Sequence, residues 1–120
     1  MIQLTDEEKR VREILIENAS QRQAIKYADM IEAAQLQLSM STPYHRTILG
    51  EILGNISIFE HENDRPLLSC VAVLANLKHS DGFFKLADEL GYGNWEELKK
   101  NHFDNMEMTR TFNYWQRHKG

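Results

Sequence analysis

The sequence contains one cysteine, Cys70, among its 120 residues. A single cysteine excludes an internal disulfide, and its position in the most apolar stretch predicts a buried thiol in a reducing compartment. The sequence also lacks an apolar run of about 18 residues, and residues 1–10 lack the basic-then-apolar order of a signal peptide. We therefore expect a cytoplasmic protein with no membrane span.

Internal repeats, low-complexity segments and interdomain linkers are missing as well. A chain of 120 residues is a natural size for one domain, so residues 1–120 are predicted to form a single domain. The net charge of −4 provides no overall attraction to nucleic acid or to an anionic membrane.

The common sequence signatures of catalysis are also missing. None of the five histidines shows metal-ligand spacing such as H-E-x-x-H, and the sequence has neither a Gly-rich phosphate loop after a strand nor a G-x-S-x-G elbow. The sequence therefore favours a non-catalytic protein with no catalytic residue, no metal ligand and no cofactor. A metal-dependent hydrolase is an alternative; its metal site would form if His45 or Glu51 folded toward Glu60 and His61.

The most apolar stretch, Arg65–Ala75, is the strongest strand candidate. Apolar side chains lie on both faces of an extended segment 67–75, which is typical of a strand covered on both sides. A lone strand cannot satisfy its own N–H and C=O groups, so it needs a partner. The partner is either an extended segment near Met40 or Lys78, or the same strand of a second copy, which would make the protein a homodimer.

Helix-start signals divide the rest of the chain into helices. Thr42 followed by Pro43 at the first helical position is a strong start signal, and Ser80 or Asp81 starts a helix that Gly91 ends. The predicted fold class is mainly α (α+β), with five or six helices around one central buried strand or small sheet. Four residue pairs match the capping-box pattern: Thr5 with Glu8, Ser20 with Gln23, Asn94 with Glu97, and Asp104 with Glu107.

Two glycines, Gly50 and Gly54, lie four residues apart inside the predicted third helix. Glycine costs about 1 kcal/mol relative to alanine in a helix interior, so each glycine needs a compensating reason. We expect another helix or strand to pack closely against them. A ligand or phosphate contact is the alternative.

The segment 98–120 is locally basic and carries interleaved aromatic residues. Its binding candidates are Arg110, Tyr114 and Trp115, because Arg, Tyr and Trp concentrate binding energy in protein interfaces. Basic residues with aromatics also grip phosphates and stack on bases, so nucleic acid or a nucleotide is the alternative ligand. The other basic residues of the segment are Lys99, Lys100, Arg117 and Lys119.

Three short motifs lie in the middle of the chain: Leu49-Gly50-Glu51-Ile52-Leu53-Gly54, Arg65-Pro66-Leu67-Leu68-Ser69 and Gly82-Phe83-Phe84. In this order they resemble small bacterial and phage-borne proteins in which a Leu-Gly helix leads to a Pro-Leu-Leu-Ser strand and a Gly-Phe turn. The resemblance covers residues 40–91 and implies no catalytic residue. It directs attention to polar residues that packing does not explain, which are His45, Arg46, Arg65, Ser69, Lys78 and His79.

The leading functional prediction is a small cytoplasmic binding protein of bacterial or phage origin. It would act on a partner protein in a regulatory, immunity-type or defence-related role. The second hypothesis is a nucleic-acid or nucleotide-binding module, because the helix–helix–strand order loosely resembles a winged helix. That module would use His45, Arg46, Arg65 and the basic segment.

Overall fold

The computed structural model describes residues 1–118, and within them the protein is mainly helical with one two-stranded parallel sheet. The predicted fold class, mainly α with a small sheet, is confirmed. Lys119, one of the predicted basic residues, lies outside the described residues. The elements are α1 (Asp6–Ser20), β1 (Ile25–Lys26), α2 (Tyr27–Ala33), α3 (Pro43–Glu62), a 3₁₀ turn (Leu68–Val71), β2 (Ala72–Val73), α4 (Asp81–Glu89), α5 (Trp95–Lys100) and α6 (Phe103–His118).

Several predicted helix ends are confirmed. At the start of α1, the Glu8 N–H donates to Thr5 Oγ1 at 3.1 Å and the Thr5 N–H donates to Glu8 Oε1 at 2.9 Å, so the capping box is complete. Helix α3 begins at Pro43, and Asn94 caps α5 by accepting from two backbone N–H groups. Helix α4 ends before Gly91, whose φ of +95° suits glycine. Within residues 1–118, no helix has the length and apolar character needed to cross a membrane.

Two predicted capping boxes are wrong. The Ser20 hydroxyl donates to the Glu17 carbonyl at 2.7 Å, and α1 ends at Ser20 instead of a new helix starting there. Helix α6 begins at Phe103, and the Glu107 carboxylate points into the core, where it accepts from the Leu67 N–H at 2.8 Å. A buried backbone donor competes successfully for the carboxylate that the local pattern assigned to a helix cap.

The predicted strand over residues 67–75 is mostly wrong, because only Ala72–Val73 is extended in a sheet and Leu68–Val71 forms the 3₁₀ turn. Two buried backbone donors are satisfied by side chains instead of a ladder: the Leu67 N–H by Glu107, and the Ser69 N–H by the Ser57 hydroxyl at 3.0 Å. The partner strand is β1, not a segment near Met40 or Lys78; Ile25 pairs with Ala72 in parallel register. A second copy of the chain is therefore not needed to satisfy this strand, and the homodimer stays a prediction.

The 3₁₀ turn lies at the centre of the core. It packs against α1, α3 and α6, and its Leu68, Cys70 and Val71 side chains are fully buried. The prediction that this stretch is covered on both sides is confirmed for residues 67–73, which are buried, although their conformation differs from the predicted one. The buried side chains around it include Val11, Leu15, Ile56, Phe84, Ala87 and Trp115.

Candidate functional site

A cleft of about 330 Å³ lies between α3 and α4. We call it the α3–α4 cleft. Helix α3 supplies one wall and α4 the other, while Tyr27 from the start of α2 and Ser69 from the 3₁₀ turn also line it. Its lining residues are Tyr27, Thr47, Gly50, Glu51, Leu53, Gly54, Ser69, Ser80, Gly82, Phe83, Lys85, Leu86 and Glu89.

The two α3 glycines line this cleft and do not pack against a neighbouring element. Apart from the adjoining residues and backbone of α3 itself, a methyl group built on Gly50 or Gly54 meets no atom within 4 Å. The predicted close approach of a helix or strand is therefore wrong. The alternative, a ligand contact at the glycines, is compatible with the structure, because the missing side chains leave room for another molecule against the backbone of α3.

Replacing these glycines by alanine is expected to stabilise the protein by about 1 kcal/mol each, because alanine has the higher helix propensity and the added methyl group has room. Chemical denaturation of Gly50→Ala and Gly54→Ala measures the gain. Gly91→Ala is the matched control, and it should lose stability because φ at Gly91 is +95°. A loss of stability in Gly50→Ala or Gly54→Ala would contradict the open cleft.

Hydroxyl groups form the polar part of the cleft. The Tyr27 hydroxyl lies 3.4 Å from Ser80 Oγ, and burial raises the pKa of the Tyr27 phenol, which stays neutral at physiological pH. The buried Ser69 hydroxyl lies 2.6 Å from the Ser57 hydroxyl, which also accepts from the Ser69 N–H. The cleft therefore offers neutral hydrogen-bonding groups to an occupant.

Three charged residues line the cleft. Lys85 Nζ lies 5.0 Å from the centre of the Trp95 ring, a cation–π contact that joins Lys85 of α4 to the start of α5. The carboxylates of Glu51 and Glu89 are exposed and have no hydrogen-bond or ion-pair partner within residues 1–118. The cleft thus has a net negative charge, carried by acidic groups that internal contacts do not use.

The predicted residues at the start of α3 hold the preceding loop. His45 Nδ1 accepts from the Ser39 N–H at 3.0 Å, and Arg46 donates to the Met40 carbonyl at 2.7 Å. Lys78 is exposed in the turn between β2 and α4. None of the three predicted residues lines the α3–α4 cleft.

Arg65 belongs to a charged cluster at the other end of α3. Glu60 is fully buried; it accepts from Arg65 Nε at 2.5 Å and from Arg12 Nε at 2.6 Å. Both guanidinium groups stack on the Phe59 ring, 5.2 Å (Arg12) and 5.4 Å (Arg65) from its centre. The Arg12 guanidinium also lies 5.5 Å from the centre of the Trp115 ring. Arg12 therefore contacts one predicted residue, Trp115, and shares the Glu60 carboxylate with another, Arg65.

The predicted residue His79 lies inside the protein. Its Nδ1 is 2.8 Å from the Asp104 carboxylate and its Nε2 is 2.5 Å from the Cys70 carbonyl, so each ring nitrogen faces an oxygen acceptor. The Cys70 sulfur is fully buried and 3.2 Å from Thr111 Oγ1, and burial raises the pKa of the Cys70 thiol. His79 therefore links the core to α6, and the Cys70 thiol is an inert core group.

The predicted residues of α6 make internal contacts. Arg110 pairs with the buried Glu107 carboxylate, while the Tyr114 ring stacks on the His118 ring at a centre distance of 4.2 Å. Trp115 is buried, with 7% of its surface exposed. These contacts occupy the aromatic residues of α6 with one another and with the core.

The structure does not gather the predicted residues into one site. Of the nine candidates, only Ser69 lines the α3–α4 cleft. Sequence reasoning missed Tyr27, Lys85 and Glu89 there, and it missed Arg12 in the charged cluster. The two α3 glycines were the available signal for the cleft.

The four residues considered for a metal-dependent hydrolase are not placed as a ligand set. His45 and His61 lie 16 positions apart on α3, which separates them by about 24 Å along the helix axis. Glu60 is occupied by two arginines. Within residues 1–118, no group of three or more His, Cys, Asp or Glu residues is placed to hold a metal ion.

The chain was compared with known protein families, curated proteins and solved structures. Neither the family models, nor the curated proteins, nor the solved structures contain a match to the chain.

Proposed function

We propose that this protein is a non-catalytic binding protein that acts on a partner protein and receives a projecting segment of that partner in the α3–α4 cleft. The observation that carries the proposal is the glycine-lined wall of α3. Glycine, which has low helix propensity, occupies a position in each of two adjacent turns of α3. The space beside these glycines is filled by no part of the described chain. The proposed setting is the bacterial cytoplasm, where the protein, of bacterial or phage origin, would have a regulatory, immunity-type or defence-related role.

A non-catalytic role is supported by the buried acidic, histidine and cysteine side chains, which make contacts within the protein. Glu60 and Glu107 are fully buried and each pairs with arginine, while His79 is held between two acceptors. Burial raises the pKa of the Cys70 thiol and so disfavours the nucleophilic thiolate. These groups stabilise the fold, and the cleft itself contains neutral hydroxyls, two solvated carboxylates and the Lys85 ammonium group.

The surroundings of the cleft favour a protein as the occupant. Tyr44 is 70% exposed and lies three residues before Thr47, so it extends the same face of α3 beyond the cleft. An exposed tyrosine beside a pocket is typical of a protein interface. The solvated carboxylates of Glu51 and Glu89 suit a basic side chain of the partner.

Site-specific photo-cross-linking in the native host tests the proposal. With Glu51→benzoylphenylalanine, we expect one protein to be cross-linked, and the same probe at Thr109, on the exposed face of α6, should not capture it. Gly54→Leu should lower the yield from position 51 by about tenfold or more, because its side chain occupies the cleft; this corresponds to about 1.4 kcal/mol of binding.

Thr109→Leu is the matched control for Gly54→Leu, because it adds a leucine at an exposed helical position outside the cleft. It should leave the cross-linking yield unchanged. Equal yields from the wild type and Gly54→Leu, or no protein cross-linked from position 51, would refute the proposal.

A further inference from the structure

A second cavity, of about 200 Å³, lies between α1 and α3. We call it the Arg12 pocket. Its lining combines two apolar residues, Leu4 and Phe59, with three charged residues of α1, Lys9, Arg12 and Glu13. The charged residues lie three and four positions apart, which places them on one face of α1.

The Arg12 guanidinium is fixed before any ligand arrives. Its Nε and Nη2 donate to the two oxygens of Glu60 at 2.6 and 3.3 Å, and its Cζ lies 5.2 Å from the centre of the Phe59 ring and 5.5 Å from that of the Trp115 ring. Nη1 has no hydrogen-bond acceptor within residues 1–118. A guanidinium with spare N–H donors in a fixed orientation is suited to binding an oxyanion.

The residues that line the pocket and their ion-pair partners together carry a net positive charge. Glu60 is one carboxylate between two guanidiniums, Arg12 and Arg65, so this group of three carries one uncompensated positive charge. Lys9 adds another positive charge and Glu13 cancels one. Each arginine side chain is 20% exposed, so the excess charge is reachable from solvent.

We propose that the Arg12 pocket binds an oxyanion, which is a phosphate or carboxylate group of a ligand. Arg12 Nη1 and Lys9 contact the anionic oxygens, and Leu4 and Phe59 contact the apolar part of the ligand. The pocket shares no residue with the α3–α4 cleft, so the two proposals stand or fall separately.

The test is an NMR titration of the whole protein with three probes: inorganic phosphate, phenyl phosphate and benzoate. We expect saturable shifts of the α1 amides near Lys9 and Arg12. Tighter binding of phenyl phosphate than of benzoate identifies a phosphate ligand, and the reverse order identifies a carboxylate ligand. Either order supports the pocket.

Two substitutions with opposite expected signs show whether the probe binds in this pocket. Lys9→Gln should weaken binding about fivefold, as for a unit charge about 4 Å away in water, and Glu13→Gln should strengthen it about threefold, as for a unit charge about 6 Å away. Both residues are exposed, so the fold tolerates either change. Lys100→Gln, at the exposed end of α5, is the control and should leave the affinity unchanged. The absence of saturable shifts with all three probes, or affinities unaltered by Lys9→Gln and Glu13→Gln, overturns the proposal.

Discussion

Replacement of Glu60 by glutamine is expected to lower the free energy of unfolding by about 3 kcal/mol. Glu60 is fully buried and forms ion pairs with Arg12 and Arg65. Without its negative charge, the two guanidiniums, which both lie over the Phe59 ring, lose the counter-charge that they share. The side chains of both arginines are 20% exposed, so solvent relieves part of the repulsion and keeps the loss at the lower end of the range for broken buried pairs.

Urea denaturation of the purified protein measures this loss. Glu62→Gln is the matched control, since Glu62 is exposed near the end of the same helix and glutamine keeps an oxygen that accepts from the Ile2 N–H. The control should change stability by about 0.5 kcal/mol or less. A loss below about 1 kcal/mol in Glu60→Gln would mean that the Arg12–Glu60–Arg65 cluster does not hold α1 and α3 together.

Replacement of Glu107 by alanine is expected to cost about 3 kcal/mol of stability. The carboxylate accepts from the Leu67 N–H at 2.8 Å, and both residues are fully buried. Alanine leaves this backbone donor without an acceptor and opens a cavity beside the 3₁₀ turn. Thermal and urea unfolding both measure the effect.

Two companion substitutions separate the causes. Arg110→Gln removes the ion-pair partner of Glu107 and leaves the hydrogen bond to Leu67 in place. Because the Arg110 side chain is 56% exposed, this change should cost about 1 kcal/mol or less. Glu107→Gln keeps an oxygen that accepts from the Leu67 N–H, so its loss of stability should lie between those of Glu107→Ala and Arg110→Gln. If Glu107→Ala and Arg110→Gln lose the same stability, the buried hydrogen bond to Leu67 is not what stabilises the turn.

The helices were predictable because their signals are local. Thr5 with Glu8, Thr42 with Pro43, and Asn94 each act within one helical turn, and each marks a real helix start. The 3₁₀ turn was not predictable in the same way. Its geometry depends on Glu107, which lies 40 residues from Leu67 in the sequence.

The strand pairing was missed for a similar reason. The strand Ile25–Lys26 has only two residues, and it follows Ser20 and Gln23, which predicted the start of a helix. Their pairing with Ala72–Val73 is fixed by the tertiary fold, which brings the end of the 3₁₀ turn beside the start of α2. Short strands of this kind carry too few residues for a period-two pattern.

The candidate sites were only partly predictable. The sequence singled out Gly50 and Gly54, but glycine facing a neighbouring helix and glycine facing a cleft look the same in a sequence. Ser69 and Arg65 were chosen because packing did not explain their polarity. Ser69 lines the α3–α4 cleft, whereas Arg65 belongs to the charged cluster around Glu60. Arg12 escaped notice because an arginine on an amphipathic helix is normally a solvated residue.

The side chains that satisfy the 3₁₀ turn also set an order for folding during synthesis. Helix α6 supplies Glu107 to the Leu67 N–H and Asp104 to His79, which in turn holds the Cys70 carbonyl. A nascent chain that has emerged only as far as α5 must keep this central turn without its polar partners. We therefore expect the core to close only after α6 leaves the ribosome, and until then the apolar stretch around Cys70 is open to chaperones and to aggregation.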